Sequence, residues 1–538
     1  MRITSIRIGN FRGIRNLEME LGRVTVVIGE NNSGKTSVLD ALKLCLRDLG
    51  PRRRSVFNGL DFHLADNQSE PSSADPITIE VRFSELRDGE WDDKLVGRLS
   101  RAGILQIDEE GRHDVRLRVT CAYDRTSRDF SHQSVFLDLK GDPLSRASTR
   151  ALTVLQDEIR YYYLTALRDA ARHFDAKGPF WRPFLRDSQL SQEKKTEIEE
   201  KLREVNELVV SSHASFEQVR DGLRRVQSVV PLASGEAVSI EAVPNRMFDM
   251  LAKAQVQLGT SSGAQIPLGR HGEGTQSLAV LMLFAAFLKA QSEGAAVLAL
   301  EEPEAHLHPS AIRALWQLVR GFSGQKLIST HSGELLAETD IREVRRLART
   351  EKGIQAFRVP HDLLSSEETR KFNYHIRQTR GELLFARCWL LVEGETESWV
   401  YPAAARSLGM NLHREGVRVV EFSQSDVGML AKIANELGIP WYCVGDDDAN
   451  RAKEEPTLRK NLAGAGEADR FAFPYTTIEE HLKAAGYEEV YERYRKRQKT
   501  RAAAAVAQEM EDRGEAGVSP EIRRVLDKVV SLARSGWQ

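Results

Sequence analysis

A loop near the N-terminus combines residue types that bind nucleotide phosphates. Gly29-Glu-Asn-Asn-Ser-Gly34-Lys35-Thr36 fits G-x-x-x-x-G-K-[ST], follows a predicted strand and opens a predicted helix. In such a loop, backbone N–H groups and the helix N-terminus bind the phosphates, the lysine reaches the β and γ oxygens, and the hydroxyl ligates Mg²⁺. The alternative is a chance glycine-rich turn. The residues predicted to bind ATP and its Mg²⁺ are Gly29, Asn31, Asn32, Ser33, Gly34, Lys35, Thr36 and Ser37.

An acidic pair follows the apolar residues 296–300 (AVLAL), as in a buried strand that ends in carboxylates. We expect Glu301 to bind the nucleotide's Mg²⁺ and Glu302 to polarise the attacking water. His331 directly follows the next apolar strand and is expected to sense the γ-phosphate. The alternatives are an acidic strand end and a structural histidine.

A second glycine-containing turn, residues 272–277 (GEGTQS), precedes the apolar stretch 278–288. If that stretch is a helix, its N-terminus suits a phosphate. Gly272 and Gly274 are therefore predicted nucleotide contacts.

Two carboxylate clusters follow apolar strands in the C-terminal part. Residues 389–392 (WLLV) precede Glu393-Gly-Glu-Thr-Glu397, and residues 441–444 (WYCV) precede Gly-Asp446-Asp-Asp448. Parallel strands place their carboxyl ends at one edge of a sheet, so the clusters should converge. Several carboxylates close together cannot all stay ionised without cations, and hard oxygen ligands suit Mg²⁺ or Mn²⁺. One such cluster would be an ordinary solvated turn, but two at matching strand ends favour a metal site.

The elements that must position these residues alternate between strands and helices, which predicts a mostly parallel α/β sheet around the phosphate loop. Residues 77–83 and 115–121 alternate apolar with polar, as in an antiparallel lobe with one solvated face. A charged helical stretch between residues 171 and 254 interrupts the ATPase pattern. The predicted domains are residues 1–170 (first ATPase part), 171–254 (helical insert), 255–372 (second ATPase part) and 373–538 (C-terminal α/β domain).

The composition of the 538 residues, 41% hydrophobic and 29% charged, is that of an ordinary globular protein. The longest apolar run, 278–288, is shorter than the ~18–20 residues of a membrane span, and we expect a cytoplasmic protein without a membrane partner. Four cysteines without a Cys-x-x-Cys pair argue against a zinc site. A net charge of −2 means that nucleic-acid binding would need local patches.

Five motifs of this sequence occur together in one known class of ATPase. The phosphate loop, the turn 272–277, Asn10-Phe-Arg-Gly-Ile, residues 301–309 (EEPEAHLHP) and Ser329-Thr-His-Ser together resemble ABC-type ATPases of the RecF and SMC kind. The acid clusters are similar to those of a TOPRIM domain. An ABC-type ATPase with a C-terminal TOPRIM domain resembles the OLD (overcoming lysogenization defect) family of ATP-dependent endonucleases, to which the Gabija nuclease subunit is related.

This resemblance implies a DNA endonuclease that uses ATP, Mg²⁺ at the ATPase site and two Mg²⁺ or Mn²⁺ ions at the TOPRIM site, in anti-phage defence or DNA processing. It implies a homodimer or higher homo-oligomer formed through the helical insert, and a helicase-like or other defence protein as partner. Lys499 matches a lysine near the metal site, although the basic stretch 493–501 also suits an ordinary solvated face. The implied metal ligands, of which Glu393 is also catalytic, are Glu393, Glu397, Asp446, Asp448 and Glu480, with Glu479 as the alternative to Glu480.

Three rival functions remain at this stage. A RecF-type ATPase that clamps DNA without cutting it leaves the acid clusters unexplained. A topoisomerase would need a tyrosine nucleophile, but Tyr161 to Tyr163 lie on a predicted core strand far from the TOPRIM segment. A primase would need accessory modules that the sequence does not indicate. Glu395 and Asp447 should point away from the metal site if their segments are extended.

Overall fold

The computed structural model describes two compact units. One comprises Met1–Leu164, Glu293–Glu304 and Pro309–Gln538, and the other comprises Thr165–Ser292 and Ala305–His308. The boundaries of the four predicted domains remain predictions. The structure describes the chain except residues 51–55, 65–69, 127, 165–191, 213–256, 260–264, 268–269, 277–278, 280–281, 283–294, 306, 379–380, 424, 463–468, 495–498 and 536–538.

The N-terminal stretch forms an antiparallel sheet and the first strands of a parallel one. The antiparallel sheet has the order β2-β1-β4-β6-β5, with β7 paired to β6, and it confirms the predicted lobe. Ile77, Ile79, Val81 and Phe83 of β4 are buried, because alternate residues of a strand face the same side. The elements are β1 (Ile3–Phe11), β2 (Ile14–Glu20), β3 (Val24–Gly29), α1 (Lys35–Lys43), β4 (Ile77–Ser84), α2 (Asp93–Arg101), β5 (Gln106–Ile107), β6 (His113–Asp124), β7 (Asp129–Leu137), α3 (Ala151–Glu158) and β8 (Ile159–Leu164).

The second unit contains part of the predicted insert. Its described elements are α4 (Gln192–Ser212) and a pair of short antiparallel strands, β9 (Gln257–Gly259) and β10 (Gln265–Pro267). Helix α4 confirms the helical prediction for this stretch, and the rest of 171–254 lies outside the described residues. Val205 and Leu208 of α4 are exposed.

A six-stranded sheet of order β14-β13-β3-β12-β11-β8 carries the nucleotide motifs. All its strand pairs are parallel except β13 with β14, which confirms the predicted mostly parallel sheet. Strand β3, which leads into the phosphate loop, lies between β12 and β13, and β11 lies beyond β12. The further elements are β11 (Ala295–Glu301), α5 (Pro309–Arg320), β12 (Gln325–Ser329), α6 (Gly333–Ala337), β13 (Val344–Thr350), β14 (Gly353–Phe357) and α7 (Ser366–Gln378).

The C-terminal part forms a four-stranded parallel sheet of order β16-β15-β17-β18, which confirms the predicted second α/β unit. Strands β15 and β17, which precede the two acid clusters, are direct neighbours. The elements are β15 (Cys388–Val392), α8 (Glu395–Ser407), α9 (Leu412–Glu415), β16 (Val417–Glu421), α10 (Val427–Glu436), β17 (Trp441–Val444), α11 (Arg451–Lys460), β18 (Phe471–Ala472), α12 (Ile478–Leu482), α13 (Glu488–Glu492), α14 (Lys499–Arg513) and α15 (Pro520–Ser535).

A buried guanidinium joins the six-stranded sheet to the C-terminal part. Arg346 of β13 donates hydrogen bonds to the carbonyl oxygens of Leu437 at 3.0 Å, Gly438 at 3.1 Å and Ala386 at 3.1 Å. Burial lowers the pKa of Arg346 to about 10, so it stays charged at neutral pH. A buried charge that lost these acceptors would be strongly destabilising, so the contact fixes the two parts against each other.

No helix in the part of the chain that the structure describes is long and apolar enough to cross a membrane.

Candidate functional sites

The backbone of the phosphate loop requires its glycines. Gly29 and Gly34 have φ values of 152° and 93°, in the region that side chains rarely adopt. A Cβ atom on Gly29 would lie 2.4 Å from the Leu347 carbonyl oxygen and 2.5 Å from Ser33 Oγ. The loop can therefore turn tightly between β3 and α1, which begins at Lys35, only with glycine at this position.

The Lys35 side chain lies inside the phosphate loop. Its Nζ donates hydrogen bonds to the carbonyl oxygens of Gly29 at 3.0 Å and Glu30 at 2.8 Å, and only 7% of the residue is exposed. Burial lowers the pKa of Lys35, and the nearby carboxylates of Glu302, Glu30 and Glu301 oppose this shift. The ammonium group is thus held where a bound phosphate would compete with the loop carbonyls for it.

The structure brings the two predicted Mg²⁺ ligands of the ATPase site together, although their positions are 265 residues apart. Thr36 Oγ1 donates a hydrogen bond to Glu301 Oε1, and the Tyr163 hydroxyl donates one to Glu301 Oε2 at 2.7 Å. A hydroxyl and a carboxylate side by side at a phosphate loop are the oxygen donors that Mg²⁺ uses. Tyr163 thereby positions Glu301, and its burial raises the pKa of the phenol.

Glu302 and His331 face each other at the ends of β11 and β12. Glu302 Oε1 lies 3.3 Å from His331 Nε2. Burial and the charge of Lys35 lower the pKa of His331, while Glu302 opposes them, so the imidazole is neutral at pH 7. Glu302 has a φ of 45°, an uncommon conformation that its N–H bond to the Ser329 carbonyl oxygen, 2.9 Å, helps to hold.

Glu304 is a residue that the motif analysis missed. Its Oε1 accepts hydrogen bonds from Thr330 Oγ1 at 2.5 Å and from the His331 N–H at 3.0 Å, so it holds the turn that carries His331. Its Oε2 is buried without a hydrogen-bond partner among the described residues, and burial raises its pKa. The signal in the sequence was a third glutamate two residues after the acidic pair, with Pro303 between them.

The remaining predicted nucleotide contacts lie in two places. Asn31 and Asn32 are exposed, Ser33 is buried, and Ser37 is half-buried on α1. Gly272 and Gly274 belong to the second unit, where a helical turn begins at residue 273. Their contact with nucleotide remains a prediction.

The two C-terminal acid clusters meet at one edge of the C-terminal sheet. Val392 of β15 pairs with Val444 of β17, so Glu393 and Asp446 follow neighbouring strand ends. The Asp446 N–H donates a hydrogen bond to Glu393 Oε2 at 3.3 Å. Helix α8 begins at Glu395 and carries Glu397, of which 3% is exposed, back into the group.

The carboxyl groups of this cluster have raised pKa values, so ionising all of them together is unfavourable. Burial, with Asp446, Glu479 and Glu393 nearby, raises the pKa of Glu397 to about 8. Burial and the charges of Glu393 and Glu479 raise the pKa of Asp446 to about 7. The pKa of Glu393 is also raised, by burial and then by Asp448 and Glu479. A divalent cation would relieve this repulsion, as the sequence argument requires.

Glu454 of α11 is a further acid that the sequence analysis missed. Burial and the charges of Glu393 and Asp448 raise its pKa to about 7. A Cβ atom on Gly445 would lie 2.8 Å from the Phe473 ring and 3.2 Å from Glu454 Oε2, so a glycine after β17 leaves room for both side chains. Glu454 lies in a helix that follows Asp448, and the spacing between the two residues matches no recognisable metal-binding motif.

The donor set fits a hard divalent cation, and two buried oxygens support that fit. Asp446 Oδ1 and Glu454 Oε2 have no hydrogen-bond partner within the described residues. Over the same residues, no three His, Cys, Asp or Glu side chains form a finished metal-binding group. Binding an ion would therefore require these carboxylates to draw together.

The structure distinguishes Glu479 from Glu480. Glu479 accepts a hydrogen bond from Thr396 Oγ1 at 3.0 Å and acts electrostatically on Glu393, Glu397 and Asp446. Glu480 is exposed on α12, and the structure does not bring it to this group. The structure therefore favours Glu479 over the predicted Glu480 as a ligand, because the two side chains point to different sides of one helix.

Glu395 and Asp447 face other partners, although for a different reason from the predicted one. Helix α8 begins at Glu395, so residues 395 and 397 point apart by ~200° of helical rotation rather than by strand alternation. Glu395 Oε2 accepts a hydrogen bond from Thr500 Oγ1 at 2.7 Å, and Asp447 pairs with Arg451 at 2.8 Å.

Lys499 is the first residue of α14, and its side chain is outside the described part. The adjacent Thr500 contacts Glu395, so this end of α14 lies beside the turn that carries the first acid cluster. Asp448 is exposed at the other cluster, where its Oδ1 accepts a hydrogen bond from the Asn450 N–H at 2.7 Å.

Comparisons with known proteins agree with this architecture. Residues 1–382 match the family described as "Protein of unknown function (DUF2813)", and residues 384–448 match the "Overcoming lysogenization defect protein-like, TOPRIM domain". The chain is 30% identical to the protein YbjD of Escherichia coli K12 over 92% of this chain and 88% of that protein. It is 24% identical to the OLD nuclease of Thermus scotoductus over 86% of each chain. It is 22% identical to the endonuclease GajA of Bacillus cereus over 84% of this chain and 76% of that protein. The chain therefore belongs to the DUF2813 family, and its residues 384–448 match an OLD-like TOPRIM domain.

Proposed function

We propose that this protein is a divalent-metal-dependent DNA endonuclease that binds and hydrolyses ATP and acts in anti-phage defence or DNA processing. The observation that carries the proposal is the group of raised-pKa carboxylates at the neighbouring ends of β15 and β17. The names of two relatives, a nuclease and an endonuclease, support it. A protein that holds DNA without cutting it would not need this group of acids, whose mutual repulsion lowers the stability of the fold.

The proposed metal ligands are Glu393, Glu397, Asp446, Asp448 and Glu479, with Glu454 beside them. Two Mg²⁺ or Mn²⁺ ions supply an activated water and stabilise the leaving oxygen when bound. Glu393 lies at the centre, since it contacts the Asp446 N–H and acts on the carboxyl groups of Asp446, Glu397 and Glu454. Lys499 is proposed to stabilise the negative charge that develops on the scissile phosphate.

At the ATPase site, Lys35 binds the β- and γ-phosphates, and Thr36 with Glu301 forms the Mg²⁺ pair. Glu302 orients the attacking water, and the neutral His331 beside it, 3.3 Å away, donates to the γ-phosphate. The contacts that support these roles all lie in one compact unit. Gly272 and Gly274 are proposed to close on the nucleotide.

A homodimer or higher homo-oligomer through the insert is proposed on the exposed Val205 and Leu208 of α4. Apolar side chains at this spacing share a helix face, which a partner helix would bury. A helicase-like or other defence protein is proposed as a further partner.

The direct test is cleavage of supercoiled plasmid. We expect nicked circles and then linear DNA with Mg²⁺ or Mn²⁺, and no product with excess EDTA. Nicking should come first because one active site cuts one strand. A protein that binds plasmid but leaves it supercoiled at every Mg²⁺ and Mn²⁺ concentration would be the clamping ATPase instead.

Removing one acid from the cluster should stabilise the metal-free protein. Because burial and the neighbouring acids disfavour the charge of Asp446, Asp446→Asn should raise the free energy of unfolding by about 1 kcal/mol, which in a chain of this size is on the order of 1 °C in Tm. The same variant should lose most of the Tm increase that Mg²⁺ gives the wild type. Thermal unfolding with EDTA and with Mg²⁺ measures both effects.

Asp447→Asn is the matched control, because Asp447 is exposed and pairs only with Arg451 on the described surface. Its free energy of unfolding should change by less than ~0.5 kcal/mol. An Asp446→Asn protein that is less stable than wild type, or equally stabilised by Mg²⁺, would contradict the proposed metal group.

A further inference from the structure

Helix α7 has two different faces. Phe372 and Ile376 are fully buried and attach the helix to the protein. Arg370, Tyr374 and Arg377 are exposed and, at spacings of four and three residues, lie on one side. Tyr374 is 57% exposed, which is unusual for a large aromatic side chain. The outer face is thus an aromatic ring between two guanidinium groups.

The acids of α7 do not neutralise this face. Glu367 pairs with Lys371 at 2.8 Å, and Glu368 pairs with Lys432 of α10 at 3.7 Å. Neither Arg370 nor Arg377 has an ion-pair partner among the residues that the structure describes. Two uncompensated cations therefore remain on the surface, in a chain whose net charge is only −2.

The same face borders a shallow hollow of about 360 Å³. Arg342 reaches it from the segment before β13, where its guanidinium also pairs with Asp340 at 2.5 Å. Asn373 lines it too, and its Oδ1 is buried without a partner within the described chain. Asp340 also lines the hollow and neutralises Arg342, so the net positive charge of the hollow comes from Arg370 and Arg377, beside the aromatic ring of Tyr374.

Helix α7 lies at the edge of the C-terminal sheet that carries the acid cluster. Glu421, the last residue of β16, acts electrostatically on His375 of α7, and Asp426, at the start of α10, acts on Lys371. Glu421 pairs in register with Val392 of β15, which directly precedes Glu393. Adjacent strands are ~4.8 Å apart, so the end of β16 that faces α7 lies at the same edge of the sheet as the acid cluster.

We infer that the exposed face of α7 contacts the phosphate backbone of duplex DNA whose scissile phosphate lies at the acid cluster. Arg370 and Arg377 are seven residues apart, or ~10 Å along the helix, which matches about three nucleotide steps of one strand. Tyr374 packs against the sugars between them. This inference rests on the proposed function, because it names the surface that leads the substrate to the same site.

The test compares DNA binding by the full-length wild type and the double variant Arg370→Gln/Arg377→Gln. Fluorescence anisotropy of a labelled duplex in EDTA, over a range of salt, measures affinity without cleavage. Loss of two phosphate contacts should weaken binding and lower the slope of log affinity against log salt by about 2. With Mg²⁺ and saturating DNA, the cleavage rate should stay within about threefold of wild type.

Two further variants give this test its controls. Arg370→Lys/Arg377→Lys keeps both charges and should restore most of the slope. Arg313→Gln/Arg524→Gln removes two other exposed arginines and should bind like wild type. All four proteins should unfold at the same temperature, since the substituted side chains are exposed.

The possible results distinguish a failure of the α7 surface from a failure of the proposed nuclease function. A double variant with the wild-type salt slope overturns the α7 surface even if plasmid cleavage is normal. A lowered slope in a protein that never cleaves supports the surface while the nuclease proposal fails. An equal loss of slope in the Arg313/Arg524 control would show unspecific attraction and overturn the inference.

Discussion

A Glu393→Gln protein is expected to lose DNA cleavage by about 10³-fold or more while it still binds and hydrolyses ATP. Glu393 is the acid that faces most of the others, and its carboxylate also accepts the Asp446 N–H at 3.3 Å. The neutral amide keeps the shape of the side chain but removes the charge that would hold a divalent ion. Because the charge that stabilises the transition state comes through the metal group, the loss should appear in the cleavage step rather than in DNA affinity.

Single-turnover cleavage of supercoiled plasmid at saturating protein measures this loss. Residues that act as one unit are not additive, so Glu393→Gln/Asp446→Asn should be no slower than either single variant. Glu395→Gln is the control, since Glu395 is two residues away and binds Thr500 instead. Cleavage within a few-fold of wild type by Glu393→Gln, or an equal loss in Glu395→Gln, would remove this site from the mechanism.

The strand ends of the candidate metal site could be predicted from sequence because they depend on a local pattern and one rule. Apolar runs before Glu393 and Asp446 indicated two buried strands, and parallel strands share an edge. The sequence could not say that β15 and β17 are neighbours, since strand order depends on packing throughout the sheet. That adjacency turns two acidic turns into one group.

The helical contributors could not be predicted in the same way. Glu454 reaches the group from α11, a separate helix, and nothing in the residues around Glu454 marks it. The choice between Glu479 and Glu480 depends on where α12 begins, and a shift of one residue rotates a side chain by ~100°. The start of α12 is set by Thr477, whose hydroxyl accepts the Glu480 N–H at 3.2 Å.

The nucleotide site shows the same division. The phosphate-loop motif specifies local geometry, and the observed glycine conformations follow from it. Glu304 and Tyr163 act through other residues, on the His331 turn and on Glu301 respectively. Supporting contacts of this kind join segments distant in sequence, so no local spacing reveals them.

A Glu302→Gln protein should bind ATP like wild type and hydrolyse it ~10²–10⁴-fold more slowly, because the amide cannot accept a proton from the attacking water. The contacts that hold the phosphates come from the loop and Lys35, which the substitution leaves in place. Binding of a fluorescent ATP analogue and the rate of phosphate release measure the two steps separately.

Lys35→Ala is the control variant for the ATP binding and hydrolysis measurements on Glu302→Gln. It removes the cation of the phosphate loop, so it should lose binding and hydrolysis together. Glu302→Gln should lose hydrolysis alone and keep the nucleotide bound between turnovers. The carboxylate is suited to this role because its Oε1 lies 3.3 Å from His331, at the end of the strand next to β12. If Glu302→Gln releases phosphate at the wild-type rate, another group orients the water, and Glu302 only helps to position His331.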